Sequence, residues 1–205
     1  MILTKAITTA HVEKAMTYEA YGELVEALLA ESKTTGENHS EKMIEYTRMN
    51  EQRRKRLDKT TQIIPELENE IRDVKEKWYW LVLTEAWCGD AAQNIPVIAK
   101  MASLNSHVEL KLLLRDEIPE VMEAYLTNGG KSIPKLIGLK AKNLEEMGTW
   151  GPRPKPAQQM VEAYKANPTS SYDDFVKEVQ LWYAKDKTQT IQQEFLALIK
   201  QWKNG

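Results

Sequence analysis

Apolar residues recur at helical spacing in three stretches of the first third of the chain. In the first stretch they fall three and four residues apart, on one face of a helix. These residues are Tyr18, Tyr21, Val25, Leu28 and Leu29. The second stretch follows Ser40, which suits an N-cap, and the third starts at Pro65, which suits a first helical turn. Residues 1–75 are therefore predicted to form an all-helical N-terminal extension.

The pattern changes after this extension to apolar runs that are typical of strands. The unbroken run at residues 78–84 predicts a central strand that helices cover on both faces. Further strands are predicted at 108–114, 133–139 and 144–149. Helical patterns follow Cys88, span 119–126 and start again near Ala157, so the predicted order is β-α-β-α-β-β-α.

This order predicts an α/β domain over residues 76–167, with a central mixed sheet flanked by helices. Two amphipathic patterns, around 175–183 and 191–202, predict C-terminal helices within residues 168–205 that pack on the core.

Composition and charge narrow the possible partners. The formal charge of −2 and the pI near 6.0 give no basic surface for nucleic acid or an anionic membrane. The sequence shows no apolar run long enough to span a membrane and no signal-peptide core, so we expect a cytoplasmic protein. The three histidines are widely separated, and we expect no metal and no cofactor.

The chain has a single cysteine, Cys88, so it has no internal disulfide. Cys88 stands where a strand ends and a helix begins, and the positive end of a helix dipole stabilises a thiolate. Asp90 opposes this effect, because a nearby carboxylate disfavours a second negative charge. The alternative is that Cys88 is a small buried apolar residue.

The motif around Cys88 resembles the thioredoxin superfamily. The matching features are an apolar strand, Trp87-Cys88-Gly89, a helix with Pro96 eight residues after the cysteine, and Ile133-Pro134 at a strand start. The chain is similar to stand-alone bacterial thioredoxin-family proteins with a helical N-terminal extension and a Trp-Cys-Gly-Asp-Ala motif. The resemblance covers residues 76–167 and implies a thioredoxin-like fold.

The resemblance also implies roles for residues near Cys88. Pro134 would be in the cis form beside the sulfur, and the backbone of Ile133 would pair with a substrate peptide. Ala91 stands where the family has its second cysteine, and Val82 stands where it has a buried acid. The chain could therefore form a mixed disulfide but would need an outside thiol, from a small molecule or a protein, to release it.

Other residues are expected near the same edge of the sheet. The candidate substrate-binding residues are Trp87, Gly89 and Asp90 beside the thiol, and Trp150 and Arg153 in the loop after the last strand, which passes near the cysteine in the thioredoxin arrangement. Trp150 could instead pack in the core, and Arg153 could be a solvated surface charge.

Two sets of polar residues complete these expectations. The ends of the strands place Glu85, Arg115 and Asp116 near the same edge. A polar stripe lies at helical spacing in the second predicted helix and could cover the thiol, although a plain solvent-facing surface is the simpler interpretation. Its members are Tyr46, Asn50 and Arg53 or Arg54.

These observations support two main hypotheses. The first is a thioredoxin-like monothiol redox protein that performs thiol–disulfide exchange through Cys88, with a protein thiol or disulfide, or a low-molecular-weight thiol, as partner. The second is a non-catalytic binding or adaptor module that keeps the fold without the dithiol reaction. A structural role through apolar helix faces is a third possibility, and the oligomeric state stays open.

Overall fold

A computed structural model describes residues 6–205 of the chain. The helices are α1 (Thr9–Lys14), α2 (Tyr18–Ala30), α3 (Glu41–Thr60), α4 (Pro65–Arg72), α5 (Gly89–Ala102), α6 (Pro119–Ala124), α7 (Lys155–Ala166), α8 (Tyr172–Asp186) and α9 (Gln189–Asn204). The strands are β1 (Trp78–Thr84), β2 (Val108–Leu114), β3 (Lys135–Lys140) and β4 (Glu145–Trp150). A short 3-10 turn, Arg115–Glu117, follows β2.

The four strands form one mixed sheet in the order β2-β1-β3-β4. β1 pairs parallel with β2 and antiparallel with β3, which in turn pairs antiparallel with β4. β1 is buried along almost its whole length, because helices cover both faces of the sheet. The predicted thioredoxin-like α/β arrangement, with helical segments on both sides of it in the chain, is confirmed.

Some boundaries differ from the predicted ones. β3 begins at Lys135, so Ile133 and Pro134 precede the strand. The helix α1 was not predicted, since it has only 6 residues and buries a single apolar side chain, Val12. Just after it, Met16 exchanges two backbone hydrogen bonds of 2.8 Å with Leu112 and so covers part of the free edge of β2.

The main hydrophobic core joins the N-terminal helices, the sheet and α9. Trp80 is fully buried and lies 5.4 Å, centroid to centroid, from Phe195. Trp202 packs on the sheet where Gly138 leaves room, because a Cβ at Gly138 would lie 2.9 Å from the Trp202 ring. This packing fixes β1, and therefore the turn that follows it, against the helices on both sides.

Helix α8 has a different environment. Its buried apolar residues, Phe175, Val179 and Tyr183, form a separate cluster with Val161 of α7. Most of α8's packing is therefore against α7, and its contacts with the first turn of α5 are polar, as described below. Within residues 6–205, no helix is long and apolar enough to cross a membrane.

Candidate functional site

The end of β1 and the start of α5 position Cys88. Cys88 is the N-cap residue of α5, and its backbone N–H donates to the carbonyl of Glu85 at 3.1 Å. Its carbonyl accepts from the N–H of Ala92, which starts the helix. The thiol Sγ donates to the carbonyl oxygen of Ile133 at 3.3 Å, and the Ile133–Pro134 peptide bond is cis. The structure therefore brings together Cys88, Ile133 and Pro134.

The environment of the thiol favours its neutral form. Cys88 is only 9% exposed, and burial, together with the charge of Asp90, raises the pKa of the thiol to about 12. Backbone N–H groups at the start of α5 and the guanidinium of Arg153 lower that pKa, but by less. The sequence left open whether the helix dipole or Asp90 would prevail, and in this structure desolvation outweighs the helix dipole.

Asp90 is the centre of a polar network beside the thiol. Its Oδ2 lies 2.7 Å from Nη2 of Arg153, and its Oδ1 accepts a hydrogen bond of 2.9 Å from the hydroxyl of Tyr183. Asn94 donates through Nδ2 to that hydroxyl at 3.0 Å and to the Asp90 carbonyl at 2.8 Å. Burial raises the pKa of Asp90, while Arg153 and Tyr183 act in the opposite direction.

Arg153 reaches this network because its loop passes close to the residues that precede β3. Gly151 has φ +106°, and a Cβ there would collide with the carbonyl oxygen of Pro134. Only glycine suits this position. The Arg153 side chain is 18% exposed and Asp90 is 13% exposed, so their ion pair is largely shielded from water. Arg153 is therefore not the solvated surface charge that was the alternative.

Helix α3 contributes part of the polar stripe to the same site. Asn50 is 4% exposed, and its Nδ2 donates to the carbonyl of Ala86 at 2.9 Å. Arg53 donates through Nη1 to Oδ1 of Asn50 at 2.8 Å. Arg54 instead pairs with Glu51, with an Nη2 to Oε1 distance of 2.6 Å. The stripe thus contacts the turn before Cys88, in contrast to the solvent-facing interpretation.

Helix α8 covers the first turn of α5. Gln180 accepts through Oε1 a hydrogen bond of 2.7 Å from Gln93, and Tyr183 binds Asp90 as described. A Cβ at Gly89 would lie 3.2 Å from Nε2 of Gln180, so the small residue lets α8 approach closely. Nothing in the sequence motif indicated this cover, because both hydrogen bonds are made by polar side chains far along the chain, Gln180 and Tyr183.

The other side of the turn carries Trp87 and Glu85. The half-buried Trp87 ring lies 4.9 Å from the guanidinium carbon of Arg115. Glu85 is fully buried, and its Oε1 accepts from the N–H of Asp116 at 3.0 Å, while burial raises its pKa. The three residues expected at the strand ends, Glu85, Arg115 and Asp116, thus lie together beside the turn.

Trp150 lies in the core. It is 6% exposed, its ring centroid lies 5.4 Å from that of Phe195, and its Nε1 donates to Oε2 of Glu194 at 2.7 Å. The structure therefore agrees with the core-packing alternative and places Trp150 away from the accessible surface that a substrate contact needs. Among residues 6–205 there is no group of three or more His, Cys, Asp or Glu side chains that could hold a metal ion.

The sheet order, the cysteine at the start of α5 and the cis proline beside it define a thioredoxin-fold protein with one thiol in place of two. A family model described as Thioredoxin matches residues 36–165, more than half of the chain. The chain therefore belongs to the thioredoxin family.

Two solved structures share the fold. One is a protein of unknown function from Pseudomonas aeruginosa, with 14% identity, a TM-score of 0.61 and coverage of 95% of this chain and 98% of that chain. The other is an HIV epitope scaffold, with 15% identity, a TM-score of 0.53 and coverage of 90% of this chain and 98% of that chain. A comparison with curated proteins found no match.

Proposed function

We propose that this protein is a monothiol redox protein that performs thiol–disulfide exchange through Cys88. The observation that carries the proposal is the position of Sγ, 3.3 Å from the carbonyl oxygen of Ile133 and beside Pro134. A sulfur at this point lies next to backbone that precedes β3, where an extended substrate could pair. A disulfide held there would have one sulfur close to Cys88.

The reaction that we propose has two exchange steps at Cys88. The Cys88 thiolate attacks one sulfur of a substrate disulfide, so a Cys88–substrate disulfide forms and the other substrate sulfur leaves as a thiolate that takes up a proton. Because Ala91 offers no second thiol, an external thiolate then attacks the substrate sulfur of the mixed disulfide, so that sulfur bonds to the external thiol and Cys88 leaves as its thiolate. A second external thiolate, or the second thiol of a dithiol, then breaks this new disulfide away from Cys88 and releases the reduced substrate. We propose the cytoplasm as the compartment, since it supplies such thiols.

We propose that exchange requires α8 to move away from the start of α5. Its contacts with the first turn of α5 are the hydrogen bonds of Gln180 and Tyr183, whereas its apolar side chains pack with α7. Opening of α8 would hydrate Cys88 and so remove the largest cause of its raised pKa. The proposed enzyme is therefore closed in this structure and reactive when α8 opens.

A second candidate function is a binding or adaptor module. The observation that favours it is the same burial of Cys88, since a thiol with a pKa of about 12 is almost wholly protonated at neutral pH. In that case the helices around Cys88 would hold a protein partner, and the cysteine would only contribute to packing in the core.

Iodoacetamide alkylation and oxidised glutathione distinguish the two functions. We compare the natural chain with Gln180→Ala/Tyr183→Phe, which loosens α8, and with Leu181→Ala, a matched change at a residue of α8 that is 54% exposed. The redox proposal expects faster alkylation and a mixed disulfide at Cys88 in the loosened variant only, with reduced glutathione releasing it. Absence of any mixed disulfide in the folded, loosened variant would support the adaptor function.

A further inference from the structure

A cavity lies behind α8, between the end of α3, the first turns of α5 and the junction of α8 with α9. Its volume is about 360 Å³, within the range of small-molecule sites. The lining residues that matter here are Arg56, Thr61, Asn94, Tyr183, Asp186 and Lys187. We propose that this cavity binds a small organic carboxylate.

A buried hydroxyl group in the wall lacks a partner. Thr61 is 7% exposed, and its Oγ1 has no hydrogen-bond partner among the residues that the structure describes. Because Thr61 also lines the cavity, a ligand oxygen that reached this part of the wall would give the hydroxyl a partner. The Thr61 hydroxyl would be an uncharged donor for an oxygen atom of the ligand.

The charges of the wall favour an anion. Arg56 and Lys187 both line the cavity, and within residues 6–205 neither forms an ion pair. Asp186 is the acidic lining residue, and its carboxylate is already bonded to the backbone N–H of Thr190 at 3.2 Å and to the Thr190 hydroxyl. The wall therefore contains two cations that form no ion pair with any described residue, together with one carboxylate, and this gives it a net positive charge.

The positive charge extends toward α5. Burial lowers the pKa of Arg53, and the charge of Arg56 lowers it further, so the two guanidinium groups of α3 lie close enough to repel. A guanidinium binds a carboxylate through two parallel hydrogen bonds, and an ammonium group binds it as a point charge. A dicarboxylate would bridge Arg56 on α3 and Lys187 beyond α8, with Thr61 as a neutral donor between them.

The cavity shares residues with the network beside the thiol. Asn94 and Tyr183 line it and also hydrogen-bond to each other and to Asp90. A carboxylate that joins α3 to the α8–α9 junction would therefore hold α8 in the closed position. Binding itself requires no reaction of Cys88 and stands apart from the redox proposal.

The test uses succinate as the probe, with dimethyl succinate as the uncharged control and inorganic phosphate as the second anion. Isothermal titration calorimetry on the full chain is expected to show succinate binding that Arg56→Gln and Lys187→Gln each weaken about tenfold, in line with the loss of a charged hydrogen bond. Thr61→Val is expected to weaken it severalfold. Lys165→Gln, an exposed cation on α7, is the matched control and should bind like the natural chain.

Cys88→Ser separates this site from the thiol chemistry, because succinate is expected to bind this variant unchanged even if all exchange activity is lost. The proposal is overturned if succinate does not bind the folded natural chain, or if dimethyl succinate binds equally well. It is also overturned if only phosphate binds, or if Lys165→Gln weakens binding as much as Arg56→Gln. A change in the Asn94 side-chain amide resonances on adding succinate would place the ligand in the cavity.

Discussion

Opposite shifts of the Cys88 pKa are expected when either member of the ion pair beside it is neutralised. Asp90→Asn removes the charge that raises the pKa of the thiol and leaves the guanidinium of Arg153 without its partner. The pKa of Cys88 should then fall. Arg153→Gln removes the cation that lowers the pKa and leaves the carboxylate of Asp90, so the pKa should rise further.

The size of the shift follows from the partial burial of the pair. With side chains 13% and 18% exposed, Asp90 and Arg153 lie near the protein surface but are poorly screened. A unit charge within about 4–6 Å shifts a pKa by about 1–3 units, and the middle of that range, about 2 units, corresponds to about 3 kcal/mol. Asp90→Asn is therefore expected to bring the Cys88 pKa from about 12 to about 10.

The assay is the pH dependence of the rate of Cys88 alkylation, with mass spectrometry to confirm the modified residue. Both variants break the same ion pair, at a cost of roughly 1–3 kcal/mol in unfolding free energy, so loosening alone would change both rates in the same direction. The midpoint of the pH profile separates charge from loosening. A midpoint that moves the same way in both variants, or that does not move in Asp90→Asn, would refute the electrostatic reasoning.

Three further predictions concern the cover, the core and the thiol. Tyr183→Phe removes a hydrogen bond to the carboxylate of Asp90, worth about 1.5–3 kcal/mol, so alkylation of Cys88 at pH 9 should become about tenfold faster. An unchanged rate would argue against α8 as the cover. Gly138→Ala places a Cβ 2.9 Å from the Trp202 ring, so overpacking should lower the free energy of unfolding, measured in urea, by about 1–3 kcal/mol. A urea midpoint equal to that of the natural chain would contradict this packing. Because the folded-state pKa of Cys88 is raised, the stability associated with the neutral thiol is complete below the unfolded pKa and is lost as pH rises toward about 12. The natural chain should thus lose about 1.4 kcal/mol per pH unit above roughly pH 9 relative to Cys88→Ser, and parallel losses in both would contradict it.

The architecture could be predicted from the sequence because each strand carries its own local signal. The apolar run at β1 and the prolines at 96 and 134 can be recognised from the local sequence alone. Their order along the chain predicts the sheet. Boundaries were less certain, as the start of β3 at Lys135 shows, because a proline at a strand edge can lie inside or outside the ladder.

The surroundings of Cys88 could be predicted only in part. Its place at the start of α5 followed from the strand–helix junction, but the neighbouring Asp90 is bound by Tyr183 of α8, which lies more than eighty residues later in the chain. The periodicity of α8 predicts an apolar stripe through Phe175 and Val179, and that stripe packs with α7. Gln180 contacts the site from α8, and single polar residues carry no sequence signal of what they contact.

Trp150 and Asn50 also show that a local sequence pattern does not identify contacts with residues distant in the chain. A tryptophan at the end of a strand and expected near Cys88 is consistent with either a substrate contact or core packing, and here α9 supplies Phe195 and Glu194, which bind it in the core. An asparagine in a charged helix suggests a solvent-facing surface, yet Asn50 satisfies the carbonyl of Ala86 inside the protein. In both cases the deciding partner is distant in sequence.

The carboxylate of Asp90 links the pKa of the Cys88 thiol to the position of α8. Asp90 raises the pKa of Cys88, and the same side chain holds Tyr183 of α8 and Arg153 of the loop before α7. If α8 leaves, Tyr183 is withdrawn, water reaches both Asp90 and the sulfur, and the field of the carboxylate is screened while desolvation is relieved. Movement of α8 and a fall in the pKa of the Cys88 thiol would then occur together. A substrate that displaces α8 would therefore meet a thiol with a lowered pKa.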